Sequence, residues 1–228
     1  MKKYLLNLVV LLGLLNPIGA IAQNDSTMVQ EVKPENMSKK EYKEYVKKQK
    51  AKNDSIAHAE AVVAINKGVY LLIVDKTMKK TMTPEDSRRN FFLVENKKVM
   101  VQSGKAGESS GNNNMGGYSV ISEIVGDIKT VEKKNGEVKS EFSLMSAYLS
   151  GKVNVKLDKK TNYGEVGILQ SGNGQYAVMF GHIIPFEPSM VGSIIEVGKL
   201  FTPDGWDPFT LGAKRDVGVL MDYISGRR

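Results

Sequence analysis

The sequence of 228 residues contains no cysteine. A chain without thiols forms no disulfide scaffold, has no cysteine nucleophile and offers no thiolate metal ligand. Only two histidines are present, His58 and His182, which excludes a metal site built from several histidines. We therefore expect a fold that depends on its hydrophobic core, with no cofactor, no metal site and no catalytic residues that the sequence alone identifies.

Long apolar runs are missing as well, except at the N-terminus. Two lysines precede an apolar stretch over residues 4–15, and Ala20-Ile21-Ala22 supplies the small residues that signal peptidase accepts. The stretch is too short to be a stable membrane anchor. The pattern predicts a signal peptide over residues 1–22 that is cleaved after Ala22. We expect a protein exported to the periplasm or the cell exterior, with no transmembrane segment after cleavage.

Positive charge is concentrated in one segment. The formal net charge is +7, and removal of the signal peptide with its two lysines lowers it to +5. Residues 39–52 contain seven lysines and two glutamates, which also gives +5. Such a segment either is a solvated helix or binds an anionic partner such as nucleic acid, acidic lipid or acidic glycan, with Tyr42 and Tyr45 stacking beside the lysines. We interpret the lysines as spread around the helix, which favours the solvated helix and argues against nucleic acid.

Removing 22 residues from 228 leaves 206, enough for one large domain or for one domain plus a tail. Residues 23–37 are polar and without periodicity, which predicts a flexible leader. Ser38-Lys39-Lys40-Glu41 fits a capping box and predicts a lysine-rich helical segment over residues 38–68, ending at Gly68. Asn53-Asp54-Ser55 would cap a separate second helix, so one or two helices remain open.

From residue 69 the pattern changes to short apolar and β-branched runs between polar turns, which predicts antiparallel strands over residues 69–190. Lys134-Asn135-Gly136 predicts a hairpin with a two-residue turn at positive φ. The expected fold is mainly β with an N-terminal helix (α+β), as an antiparallel sandwich or partly closed barrel of about eight strands. The strand candidates are residues 69–74, 90–95, 99–102, 118–131, 137–145, 153–157, 165–169 and 176–184.

Residues 191–228 form a C-terminal extension to which we assign no structure. Trp206 lies near Pro203 and Pro208, and a lone tryptophan in such a stretch is typical of a loop packed against the domain.

Two features carry the remaining chemical alternatives. His182 is in register with Tyr176, Val178 and Phe180, so it is either a satisfied structural group or a general base near a cleft. The glycine- and asparagine-rich residues 104–117 lack the lysine and hydroxyl residue that follow a phosphate-binding loop, which favours a flexible strand connection.

Several strand and turn patterns of this sequence are shared with a known family. They are Asn90-Phe91-Phe92, Lys98-Val99-Met100-Val101-Gln102, Met115-Gly116-Gly117-Tyr118, Lys133-Lys134-Asn135-Gly136, Leu149-Ser150-Gly151-Lys152-Val153 and Ile184-Pro185. With these patterns the chain resembles domain of unknown function 4251, a family of small exported proteins of Gram-negative gut-type bacteria. The resemblance covers residues 69–187 and implies a fold but no activity.

We expect a non-enzymatic exported β domain that binds an unknown small ligand or an envelope component. Two alternatives stay open at this point. One is a hydrolase that uses His182 with an acid from a neighbouring strand. The other is an interaction protein that binds anionic surfaces through the lysine-rich helix.

Overall fold

A computed structural model describes residues 37–111 and 113–198, and the predicted signal peptide, most of the predicted leader and Trp206 lie outside these ranges. Eight strands form a closed barrel in which each strand pairs antiparallel with the next, and β8 pairs with β1. The predicted fold class is confirmed, and the barrel is fully closed. The strands are β1 (Tyr70–Thr77), β2 (Phe91–Glu95), β3 (Lys98–Ser103), β4 (Tyr118–Glu132), β5 (Val138–Met145), β6 (Gly151–Leu157), β7 (Tyr163–Gln170) and β8 (Tyr176–Pro185).

The lysine-rich segment is one helix, α1 (Lys39–Lys67). The predicted capping box is present: the Ser38 hydroxyl accepts a hydrogen bond from the Glu41 amide at 3.3 Å, and the Glu41 carboxylate accepts one from the Ser38 amide at 2.8 Å. Gly68 ends the helix at a φ of 66°, which glycine adopts without steric cost. Asn53-Asp54-Ser55 does not start a second helix, because the flanking lysines and alanines favour continuation of the first.

The second half of α1 packs onto the barrel core. Ala61, Ala64 and Ile65 are buried in the same cluster as the inward-facing strand residues, such as Val153, Val155 and Leu157 of β6. These β6 residues alternate with lysine and asparagine, which places the apolar side chains inside and the polar ones outside. An eight-stranded barrel has an interior just wide enough for such side chains. The interior of this barrel is accordingly a hydrophobic core.

A second apolar cluster covers the outer side of the sheet at β1, β2 and β3. Phe186 and Ile195 come from the chain after β8 and pack against Leu71, Phe91 and Met100. Up to residue 198, where the described range ends, this part of the chain contains a 3-10 turn (Pro188–Met190) and adds no strand to the barrel. The described start of the predicted C-terminal extension therefore serves as an outer cover on one wall.

One hairpin turn differs from the sequence prediction. The β4–β5 hairpin forms as predicted, but only Gly136 in it has a positive φ, 86°, so its turn is longer than two residues. The two-residue turn with positive φ lies instead between β2 and β3, where Asn96 and Lys97 have φ values of 52° and 58°. Asparagine adopts such angles readily, which makes Asn96 the residue that permits the tight turn.

One short helix was not predicted. It is α2 (Pro84–Ser87), in the β1–β2 connection, and the Thr83 hydroxyl caps it by accepting a hydrogen bond from the Asp86 amide at 3.1 Å. Proline at the first helical position and threonine at the cap are both typical of a helix start.

Candidate functional site

His182 lies on the outer face of β8. Tyr176, Phe180 and His182 share that face as predicted, while Ala177, Met179 and Ile183 point into the core. The His182 Nδ1 atom is 3.0 Å from the side-chain oxygen of Asn162, and its ring packs edge to face on Tyr163 with centroids 5.3 Å apart. The histidine is exposed, with an amide and an aromatic ring as neighbours.

Tyr163, the aromatic neighbour of His182, is hydrogen-bonded to a carboxylate. The Tyr163 hydroxyl donates a hydrogen bond to Asp75 at 3.0 Å, and burial, followed by this bond, raises the pKa of Tyr163 to about 12. Among the described contacts, His182 bonds neither an acid nor a hydroxyl nucleophile. A hydrolase needs a base hydrogen-bonded to a nucleophile and oriented by a third group. The His182 hydrolase stays a prediction that this geometry does not favour.

The glycine-rich connection between β3 and β4 is held in place by its own backbone. The amides of Lys105, Glu108, Met115 and Gly116 donate to oxygens within the connection at 2.7 to 3.3 Å, and the Ala106 amide donates to Asp86 at 2.8 Å. A phosphate-binding loop must present free amides to its ligand. These five donors are used, so the loop is a structural connection.

A surface groove of about 410 Å³ runs along the outer wall formed by β6, β7 and β8. It begins at the β4–β5 and β6–β7 turns and is lined by two aromatic rings, Tyr163 and Phe180. Lys76 lies over the Phe180 ring at 5.9 Å from its centroid. The remaining lining residues are mostly polar: Asn135, Glu137, Lys156, Leu157, Asp158, Lys159, Gly164 and Glu165.

Two of the three acids that line the groove form ion pairs with lysines. Glu137 pairs with Lys133 at 2.7 Å and with Lys139 at 3.8 Å, and Glu165 pairs with Lys156. The hydrogen bond from Lys133 lowers the pKa of Glu137, and the bond to Glu165 raises that of Lys156.

Asp158 also keeps its charge. Its carboxylate accepts hydrogen bonds from the backbone amides of Lys160 and Thr161 at 2.9 and 3.2 Å, and the Lys160 amide contributes most to lowering its pKa. General acid–base catalysis needs a group whose pKa is tuned toward neutral pH. The shifts in this groove move pKa values away from neutrality.

A neighbouring glycine shapes the same wall. A Cβ atom at Gly167 of β7 would lie only 3.0 Å from the Cζ atom of Tyr176, so the tyrosine ring lies across this glycine. Tyr176 nevertheless remains 43% exposed. The wall of β6 to β8 thus presents aromatic side chains to solvent, whereas the wall of β1 to β3 is covered.

The first half of α1 extends beyond the barrel. Residues 39–56 are almost all exposed, whereas burial begins at Ala61. We call residues 39–52 the basic arm. All seven of its lysines are exposed, and their ammonium groups form no ion pair with another residue in the described ranges.

The arm carries its lysines unevenly. At 100° per residue, five of the seven fall within an arc of about 100°. The sequence interpretation of lysines spread all round the helix therefore changes, because most of them share one side. Those five are Lys39, Lys40, Lys43, Lys47 and Lys50.

His58 marks where α1 leaves the barrel. Its Nδ1 atom is 3.1 Å from the backbone oxygen of Thr161 in the β6–β7 turn, and its Nε2 atom is 3.8 Å from the Cβ position of Gly136 in the β4–β5 turn. The second histidine is thus a structural contact between the helix and the two turns where the groove begins.

Within the described ranges, no three His, Asp or Glu side chains come together in a way that would hold a metal ion. The helices in those ranges also lack the combination of length and apolar character that a membrane span requires.

Comparison with solved structures finds chains that are similar to this one. A solved structure similar to this chain is the crystal structure of a DUF4251 family protein from Bacteroides eggerthii DSM 20697. The two share 25% sequence identity with a TM-score of 0.48, and the match covers 59% of this chain and 91% of the other. This confirms the resemblance to domain of unknown function 4251. No protein-family model matches the chain, and no curated protein matches it.

Proposed function

We propose that this chain is an exported, non-enzymatic binding domain that holds a small ligand or an envelope component in the groove on the outer wall of β6 to β8. The observation that carries the proposal is the groove itself, in which Tyr163 and Phe180 stand beside carboxylates that already have ion-pair or hydrogen-bond partners. Aromatic rings offer large contact area at low entropic cost, and polar neighbours fix orientation. The barrel interior is filled by the core, which leaves the outside as the place for a ligand.

The groove is tested by replacing one of its rings. Phe180→Ala should weaken binding about tenfold, because an aromatic side chain at the centre of a binding surface carries much of the affinity. The probes are a set of neutral oligosaccharides and short peptides, and binding is measured by titration with NMR chemical shifts. Shifted resonances should map to β6, β7 and β8.

The matched control is Met145→Ala. Met145 is 63% exposed and lies at the end of β5 away from the β4–β5 turn, so its loss should leave affinity unchanged. Shifts that map to another wall, or affinity that survives the loss of Phe180, would contradict the proposed site. If the protein cleaves any probe and the His182→Ala variant does not, the proposed binding function would be wrong and the hydrolase would take its place.

The proposal of export rests on residues 1–22, which contain two lysines, a short apolar stretch and the small residues of Ala20-Ile21-Ala22 before the cleavage site. When the chain is produced in a Gram-negative host and recovered from the periplasm or medium, its first residue should be Gln23. N-terminal sequencing and intact mass measure this directly. A cytoplasmic protein that retains Met1 would contradict export.

A further inference from the structure

We propose that the basic arm and the turns beneath it form a second binding site, which takes a linear acidic polysaccharide. This site lies beside the groove of the proposed function, and of the groove's lining residues it uses only Lys159. Its starting observation is a set of charges without partners. Five lysines on the barrel pair with acids, Lys80, Lys105, Lys133, Lys139 and Lys156, whereas the seven lysines of the arm pair with no described residue.

The lysines form a row. Lys39, Lys43, Lys47 and Lys50 follow one another along one side of α1 over a rise of about 16 Å. A row of ammonium groups at this spacing matches a chain of anionic groups, because each contact releases counterions from the polymer and contributes to affinity.

The row lies on the same face of α1 as the residues that pack against the barrel. By the same helical geometry, the buried residues Ala61 and Ile65 fall in the arc of the five lysines, and Ala64 lies about 20° outside it. The basic row and the docked face of α1 are therefore continuous along the helix, and the arm overhangs the barrel with its lysines on the inner side.

More positive charge lies under the overhang. His58 places α1 on the β4–β5 and β6–β7 turns, and these turns carry Lys134, Lys159 and Lys160. All three are exposed, and their ammonium groups have no partner among the described residues. The arm and the turns form a re-entrant corner with cations on both sides.

This shape distinguishes a polymer from a membrane. A flat anionic bilayer that approached the row would meet the barrel turns on the same side, whereas a single polymer chain can enter the corner. The arm also lacks the broad apolar face of an interfacial helix, since Tyr42, Tyr45 and Val46 are followed by Gln49. The site is thus suited to one extended polyanion.

The test compares two double variants with equal change in charge. Lys43→Gln with Lys47→Gln removes two members of the row, and Lys48→Gln with Lys52→Gln removes two lysines outside it. The probe is dextran sulfate, with uncharged dextran beside it, and affinity is measured by calorimetry from 50 to 200 mM salt. We expect the row variant to bind about tenfold more weakly and the other to change by less than about threefold.

A third double variant tests the corner. Lys159→Gln with Lys160→Gln should also weaken dextran sulfate binding, and its salt dependence should become shallower. Phe180→Ala should leave the affinity for dextran sulfate unchanged, which separates this site from the groove. Glutamine supports helices about as well as lysine, so circular dichroism should show intact α1 in the arm variants.

Several results would overturn the inference. Equal losses in the row variant and its matched control would mean that net charge alone attracts the polymer. Tighter binding to phosphatidylglycerol vesicles or to single-stranded DNA than to dextran sulfate would assign the arm to a membrane or to nucleic acid. Absence of dextran sulfate binding at 50 mM salt would exclude the site.

Discussion

Replacing Gly181 with alanine should cost at least about 3 kcal/mol of unfolding free energy, because it forces apart the two strands that close the barrel. Gly181 of β8 lies opposite Val74 of β1. A Cβ atom at this position would lie 2.8 Å from the carbonyl carbon of Ile73 and would overlap its oxygen. The obstacle is backbone and cannot rotate away. The ladder already shifts register between Val74 and Lys76, so the closest approach occurs at an irregular point.

Urea denaturation followed by circular dichroism measures this loss, and Gly107→Ala is the control. Gly107 has a φ of 77°, but its Cβ position has no neighbour within 4 Å. Alanine there should cost only about 1–2 kcal/mol, from backbone conformation alone. If the two variants lose equal stability, the loss in Gly181→Ala comes from backbone conformational freedom and not from the close approach of β1. The comparison tests whether the β1–β8 pairing depends on the close approach that Gly181 permits.

Asp86→Ala should destabilise the protein by about 2–3 kcal/mol, because it removes a buried carboxylate that accepts a hydrogen bond from a backbone amide and pairs with a lysine. The Asp86 carboxylate accepts a hydrogen bond from the Ala106 amide at 2.8 Å and pairs with Lys80 at 3.3 Å. It thereby links α2 to the glycine-rich connection. Glu85 is the matched control, since it is an exposed neighbour in the same helix, and Glu85→Ala should change stability by less than about 0.5 kcal/mol.

The stability that Asp86 contributes should also depend on pH. Burial opposes ionisation of Asp86, but the hydrogen bond from Ala106 and the charge of Lys80 outweigh it and lower its pKa. A carboxyl group with a lowered folded-state pKa stabilises the fold above its unfolded pKa, about 3.9, and loses that effect as pH falls through the folded value. The difference in stability between the parent and Asp86→Ala should be constant from pH 7 to about 5 and shrink below pH 4. A difference that grows on acidification would contradict this sign.

The sequence located the strands because their signals are local. The alternation of polar and apolar residues in β6, from Lys152 to Leu157, follows directly from one solvent-exposed face and one buried face. The capping box at Ser38 and the glycine at position 68 bounded α1 to within a residue. The short helix α2 was missed, although Thr83-Pro84 carries a cap and a first-turn proline. Its four residues offer too little periodicity to distinguish a helix from a loop.

The candidate sites were less predictable. His182 and its facing neighbours were assigned to one side of β8, but period two does not say which side is buried. The groove draws on side chains from four separate segments between Asn135 and Phe180, and only strand pairing brings them together. The lysine row, in contrast, is encoded in the spacing of residues 39, 43, 47 and 50, and helical arithmetic finds it once the helix is known to be continuous.

The sequence by itself determined the absence of thiols, the signal-like N-terminus, the positions of eight strands and the charge of one helix, since composition and short-range period decide these. Tertiary structure decided the rest. Closure of the barrel depends on pairing between β1 and β8, more than 100 residues apart, and a sandwich has the same local pattern. The side of α1 that meets the barrel, and hence the direction in which the lysine row points, depends on where Ala61 and Ile65 are buried. Such choices follow from the packing of distant surfaces, which no local pattern contains.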